Sequence, residues 1–233
     1  MINIVKKLFY FLIIFSITLP SFSQQINYRL TADFSIKEKN AELSSVHTGK
    51  IYYDLNTDIF VYNIYFPEKV DWVIHDTSFY TFKESVMESR VTIPKINSTN
   101  LIHLSLTASL YDYGLIESGL YKMEDVKNEN NLIITTYSSI HPRLESKLGK
   151  IYISTKKGHL HGIVFLNPDG TILKKIFIEK SVIKKGLFIP TEILEITYKD
   201  NKENYKITTF DNIILNEKIN ENFYNYSLPY NVR

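Results

Sequence analysis

Apolar stretches of strand length recur along nearly the whole chain, separated by short polar clusters, and this pattern constrains the fold more than any other feature. The stretches are rich in side chains that fit a pleated, half-buried surface. With 17 Tyr and 14 Phe against 8 Gly and 7 Pro, the composition points the same way, to a mainly β protein. Strands are expected over residues 26–37, 47–54, 58–66, 69–75 and 78–83. After a change of character the pattern resumes at 132–137, 149–154, 159–166, 171–179, 186–198 and 205–215. Lys156-Lys157-Gly158 and Asn167-Pro168-Asp169-Gly170 punctuate the second series; in the latter, Pro presets its own backbone angle and Gly accepts a positive φ.

Between the two series, residues 96–110 place Leu101, Leu104 and Ala108 at helical spacing, continued by Tyr111 just beyond, with Ser98 or Thr99 as N-cap. One amphipathic helix is expected there, and residues 115–126 are read as a second, short one. The fold class that follows is mainly β (α+β): a curved antiparallel half-barrel of about ten strands wrapped around one or two helices. Along residues 59–66 one parity carries Ile59, Val61, Asn63 and Tyr65, and the other Phe60, Tyr62, Ile64 and Phe66. A strand apolar on both faces must be covered on both, or must offer one face to an apolar ligand.

The N-terminus reads as a cleavable secretory signal. Lys6 and Lys7 precede an uncharged run from Leu8 to Leu19, and Ser21 and Ser23 supply the small residues a signal peptidase needs before Gln24. The run is too short for a permanent membrane span. Residues 1–23 are therefore expected to be removed, leaving 24–233 as one exported domain in the periplasm. The chain has no cysteine, so no disulfide and no cysteine-linked lipid can hold it, and an ordinary hydrophobic core must. The formal charge is +2, and the leader takes two lysines with it, so nothing attracts nucleic acid or anionic lipid at long range.

Catalytic and metal patterns are weak. His159 and His161 would share a strand face, but no third ligand stands near them, so no metal is expected. His47, His75, His103 and His141 are scattered, and no nucleophile elbow or phosphate-binding glycine loop occurs. Glu192 and Glu195 fall on opposite strand parities, which argues against a facing carboxylate pair. No catalytic residue and no cofactor is assigned. Asn97-Ser98-Thr99 and Asn225-Tyr226-Ser227 match the glycosylation sequon, which carries weight only in a glycosylating pathway.

The order of elements resembles the LolA/LolB-like superfamily of lipoprotein carriers. The resemblance rests on Thr48-Gly49-Lys50-Ile51-Tyr52-Tyr53, on Phe66-Pro67, Trp72 and Ser78-Phe79-Tyr80-Thr81-Phe82, and on Gly149-Lys150-Ile151-Tyr152-Ile153. It continues through Asn167-Pro168-Asp169-Gly170-Thr171 to Phe210, Asn212, Asn216, Ile219, Phe223 and Pro229. It implies an incomplete β-barrel closed by helices around a cavity for acyl chains. The family's leading helix is replaced here by a predicted strand, and Asp54-Leu55-Asn56-Thr57 stands where a gating Arg is usual, so no gating residue carries over.

The reading that follows is a monomeric periplasmic carrier that holds a lipoprotein acyl chain or another lipid without covalent chemistry. Its candidate wall is Tyr53, Tyr62, Ile64, Phe66, Trp72, Phe79, Ile163 and Phe165. The alternative is an envelope interaction or sensor module whose hollow is plugged by Leu101, Leu104 and Leu110. Such a module would dock a protein partner through residues 133–137 or the tail at 222–230.

Overall fold

The computed structural model describes residues 28–40, 43–93, 100–199, 202–226 and 228. The leader, the cap positions Ser98 and Thr99, and the first residues of the expected helix lie outside that set.

Among the described residues, thirteen strands form one antiparallel sheet. The first six are β1 (Arg29–Lys39), β2 (Ser44–Asp54), β3 (Ile59–Phe66), β4 (Val70–His75), β5 (Ser78–Lys83) and β6 (Val86–Thr92). The other seven are β7 (Tyr121–Glu129), β8 (Leu132–Ser139), β9 (Ile151–Lys156), β10 (His159–Leu166), β11 (Ile172–Lys184), β12 (Leu187–Lys199) and β13 (Lys202–Leu215). Each series is a meander, and the two are joined where β1 pairs with β13. The order is β6-β5-β4-β3-β2-β1-β13-β12-β11-β10-β9-β8-β7, open at both edges. The chain must therefore pass from one edge strand to the other between β6 and β7. It does so with an insert that carries helix α1 (Asn100–Leu106) and a 3-10 turn at Leu110–Asp112.

That insert is the centre of the core. Leu101, Ile102, Leu104, Leu106, Leu110, Tyr113 and Leu115 form one buried cluster with inward residues from both halves of the sheet, among them Phe34, Ile51, Tyr62, Ile153, Ile163, Ile176, Ile193 and Phe210. An open sheet can bring both halves against a single short segment only by curling around it. A hydrogen-bonded group locks the insert in place. The Tyr53 hydroxyl donates to Asp58 Oδ1 at 3.0 Å and lies 2.5 Å from His103 Nδ1 on α1.

The helix is shorter than the periodicity predicts. It ends in a Schellman turn: Ala108 takes φ 56°, its N–H donates to the Ser105 carbonyl, and the Ser109 N–H donates to the Leu104 carbonyl. Ala108 is thus the left-handed cap rather than a helical residue, and Tyr111 is exposed. Nor do residues 115–126 form a second helix. Gly114 and Gly119, both at φ 68°, sit in a series of turns that leads into β7. Pairing with β8 across the Asn130-Asn131 hairpin then holds Tyr121–Glu129 extended.

The convex face is covered locally as well. Tyr52, Val61, Val73, Tyr80 and Phe82 form a second cluster with Tyr224 of the C-terminal helix α3 (Glu221–Tyr224), which follows the short helix α2 (Pro142–Glu145). Phe223 stacks on Tyr52 with ring centres 4.4 Å apart. Arg29 clasps the tail by pairing with Asp54 and Glu221, both at 2.6 Å, and by lying over the Tyr224 ring at 4.5 Å. The tail from Phe223 to Tyr226 is therefore used against its own sheet. Residues 133–137 lie in β8, paired on both sides with β7 and β9, so they offer no free strand edge.

Candidate ligand-binding hollow

Where the insert stops filling the concave face, near the β1–β2 hairpin end of the sheet, an apolar cavity of about 150 Å³ remains. It is lined by Ile36, Tyr62, Trp72, Ile74, Phe79, Ile193 and Phe210, with Glu38, Lys206 and Thr208 at its rim. Register accounts for this wall. Tyr62 stands opposite Trp72, and Ile74 opposite Phe79, so alternate residues of β3, β4 and β5 present a continuous aromatic surface. The Trp72 ring lies 4.8 Å from His47 and 5.8 Å from Phe79.

The eight wall residues expected from the sequence divide by depth. Tyr62, Trp72 and Phe79 line the cavity. Tyr53, Ile64 and Ile163 are buried in the packed cluster, and Phe165 packs on it, its ring 5.9 Å from Tyr113. Phe66 is not brought to the hollow and is 54% exposed. A bulge in the β2–β3 pairing lets Phe66 oppose Thr48 while Ile64 opposes Gly49, which takes Phe66 out of the inward row. Leu101, Leu104 and Leu110 do occupy the concave core. The hollow is therefore filled at its centre and leaves this cavity at the β1–β2 end.

Beside the apolar chamber lies a polar one of about 460 Å³. Its lining includes Glu38, Lys39, Lys174, Glu195, Thr197, Tyr205 and Lys206; Glu38 and Lys206 border both chambers. At its centre Glu195 is only 3% exposed. Lys206 stands directly opposite it on β13, with Nζ 2.6 Å from Oε1, and Lys174 reaches it from β11, with Nζ 2.5 Å from Oε2. Burial alone would raise the Glu195 carboxyl, but the charges of Lys206 and Lys174 outweigh it and hold the group below the usual carboxylate range. A carboxyl whose folded pKa is depressed stabilises the fold above its unfolded pKa, and that contribution is lost as pH falls through the lower folded value. Glu195→Gln should accordingly flatten the acid limb of the melting temperature against pH, followed from about pH 7 to about pH 3. An unchanged limb would mean that other carboxyls govern acid unfolding.

The strand pattern held a signal for Glu195 that the sequence reading passed over. In β12 it falls on the parity of Ile189 and Ile193, both buried, so a carboxylate on that row has to meet cations inside the sheet. Glu192, of the other parity, pairs with Lys180 at 2.6 Å instead. His159 stacks on Phe188 with ring centres 4.5 Å apart, and among the described residues no group of three or more His, Asp and Glu is placed to hold a metal.

No protein-family model matches the sequence, and no curated protein matches it. Solved structures do share the fold. A DUF1329 family protein from Desulfovibrio piger superposes with a TM-score of 0.60 at 9% identity, over 87% of this chain and 92% of its own. A LolA superfamily protein from Nitrosomonas europaea gives 0.54 at 12% identity, over 86% and 93%. A domain from Vibrio parahaemolyticus, named for outer membrane lipoprotein sorting, gives 0.55 at 10% identity, over 84% and 89%. The fold of this chain is LolA-like.

Proposed function

We propose that this chain is an exported, non-catalytic binding protein that takes up the acyl chain of a lipoprotein or lipid through the open end of its sheet. The observation that carries the reading is the aromatic-walled cavity at Tyr62, Trp72, Ile74 and Phe79, beside the packed insert on the concave face. LolA-like architecture supports a carrier role, and the name of the Vibrio domain gives the class of cargo to test first. Residues 24–233 would act as one monomeric domain in the periplasm once the leader is removed.

At about 25 cal/mol per Å² of apolar surface buried, a hydrocarbon chain supplies its own binding energy and needs few directional contacts. The cavity is smaller than the roughly 300–1,000 Å³ of a site that encloses a drug-sized ligand. Only the end of a chain fits while the insert is seated, and fuller uptake needs α1 to move outward.

The test replaces Trp72 and Phe79 together by Asp. Both are only partly buried, so the fold tolerates the change better than at Tyr53 or Ile64. Uptake of a fluorescent fatty acid should fall at least about tenfold, the order expected for placing charge in an apolar site, while the circular dichroism spectrum is retained. Equal uptake by the folded double variant would remove the assignment.

A second reading draws on the filled centre. With Leu101 and Leu104 buried on the sheet, the protein would act as an interaction module that carries no lipid. Native mass spectrometry separates the two: a lipid adduct lost on organic extraction belongs to the carrier, and a clean apo mass together with no probe uptake belongs to the module.

A further inference from the structure

The two chambers at the open end differ in chemistry and share a border. The inner one is apolar, and the outer one is built around ions. We propose that the ligand is an anionic amphiphile, its tail against Trp72 and Phe79 and its head group on the Lys174 ammonium, in the chamber that Lys206 shares with the apolar one. This rests on the hydrophobic-ligand reading above and adds the class of head group.

Three features lead to the sign of the head. Each oxygen of the Glu195 carboxylate already faces a lysine, and its side chain is 4% exposed, so it has little to offer a ligand. Lys174 is more open, and its ammonium carries three donors, of which the Glu195 oxygen it faces uses one. Finally, the chamber is lined by three positive charges, Lys39, Lys174 and Lys206, against two negative, Glu38 and Glu195, and is partly desolvated, so that an added anion gains more there than in water. Glu38 is directly opposite Lys206 on β1 and would compete with the head group, but it is solvent-exposed at the rim and more strongly screened. The ions stand beside the mouth of the apolar chamber, sharing Lys206 with it, which suits a head attached to a chain.

The experiment titrates the purified protein with single-chain probes of equal length, below their aggregation limits, and follows the emission of Trp72, the chain's one tryptophan. The probes are dodecanoate, dodecyl phosphate, dodecanol and dodecyltrimethylammonium, with acetate and inorganic phosphate as tail-free controls. Dodecanoate and dodecyl phosphate should bind about tenfold more tightly than dodecanol, with the cationic probe weakest and the tail-free anions without effect. Lys174→Met should remove most of the preference for anions and leave dodecanol binding in place. Glu38→Gln should strengthen the anionic probes alone.

Equal binding of dodecanol and dodecanoate, or a preference for the cationic probe, would overturn the head-group assignment and leave the hydrophobic-ligand reading standing. Saturable binding of acetate or phosphate as tight as that of the tailed anions would overturn the amphiphile in favour of a free-anion site. If no tailed probe binds, the hydrophobic-ligand reading falls and takes this inference with it. The wild-type series decides these outcomes even if a lysine variant fails to fold.

Discussion

Gly49→Ala is expected to destabilise the protein by about 3 kcal/mol, although it adds a single methyl group to a residue with no unusual backbone angle. The reason is contact. A Cβ on Gly49 would stand 2.1 Å from the backbone carbonyl oxygen of Asn63 and 2.9 Å from the Ile64 Cα. Neither neighbour is a side chain that can swing away. The β2–β3 pair would have to separate at its bulge, just where Ile51, Tyr62 and Ile64 close the core. Gly149 repeats the situation in the other half of the sheet: its Cβ would meet the Leu166 carbonyl oxygen at 1.9 Å, and Gly149→Ala should behave alike. Both glycines open a Gly-Lys-Ile-Tyr sequence whose isoleucine, Ile51 or Ile151, is buried on the concave side. Gly158→Ala is the contrast. Nothing lies within 4 Å of its Cβ, so only the positive φ of 80° is penalised, at about 1 kcal/mol. Denaturant midpoints for the three variants test the ordering, and a loss below about 1 kcal/mol at Gly49 would show that the strand pair opens with little resistance.

The same glycines show what was legible in the sequence. Strands with β-branched and aromatic alternation, and turns marked by Gly or Asn-Pro-Asp-Gly, fall where the pattern places them, because backbone permissiveness and face burial are local properties. What was missed depends on partners. β6 reads Val86-Met87-Glu88-Ser89-Arg90-Val91-Thr92, mostly exposed, and the turn before it puts Glu84 and Ser85 at positive φ with neither Gly nor Asn to signal it. β7 is an edge strand more polar still, held extended by β8 rather than by its own preference. The insert leucines were found by helical spacing. The helix end at Ala108 was not, because a left-handed alanine has no sequence signature.

For the hollow, Tyr62, Trp72 and Phe79 stood out as large apolar residues on expected strands, and the cross-strand register, which the sequence does not show, is what puts them on one wall. Phe66 failed because a bulge cannot be read from alternation. The ionic half was visible only as glutamate on an apolar row. Lys174 and Lys206 lie 21 residues before and 11 after Glu195 in sequence, and only the pairing of β11, β12 and β13 makes them neighbours.

Leu101→Ala tests whether that packed centre is core or displaceable plug. Leu101 is fully buried on α1, and its truncation should cost about 2–5 kcal/mol, the range for a leucine whose site collapses only partly. That loss is common to both readings. They part when ligand is added. If the insert occupies space that a hydrocarbon chain can take, the variant has a larger hollow contiguous with the wall at Trp72, and a tailed probe at about one hundred times its Kd returns about 2.7 kcal/mol of stability. The recovery should exceed that of the wild type, because the variant's cavity gains contacts that wild-type Leu101 already makes. If the hollow is a finished core, the cavity lies sealed behind Leu104 and the surrounding strands, and the thermal midpoint of the variant stays low whatever probe is present. A destabilised variant that ligand rescues more than the wild type would thus place α1 on the path of the ligand, whereas one that ligand leaves untouched would make the insert a structural plug.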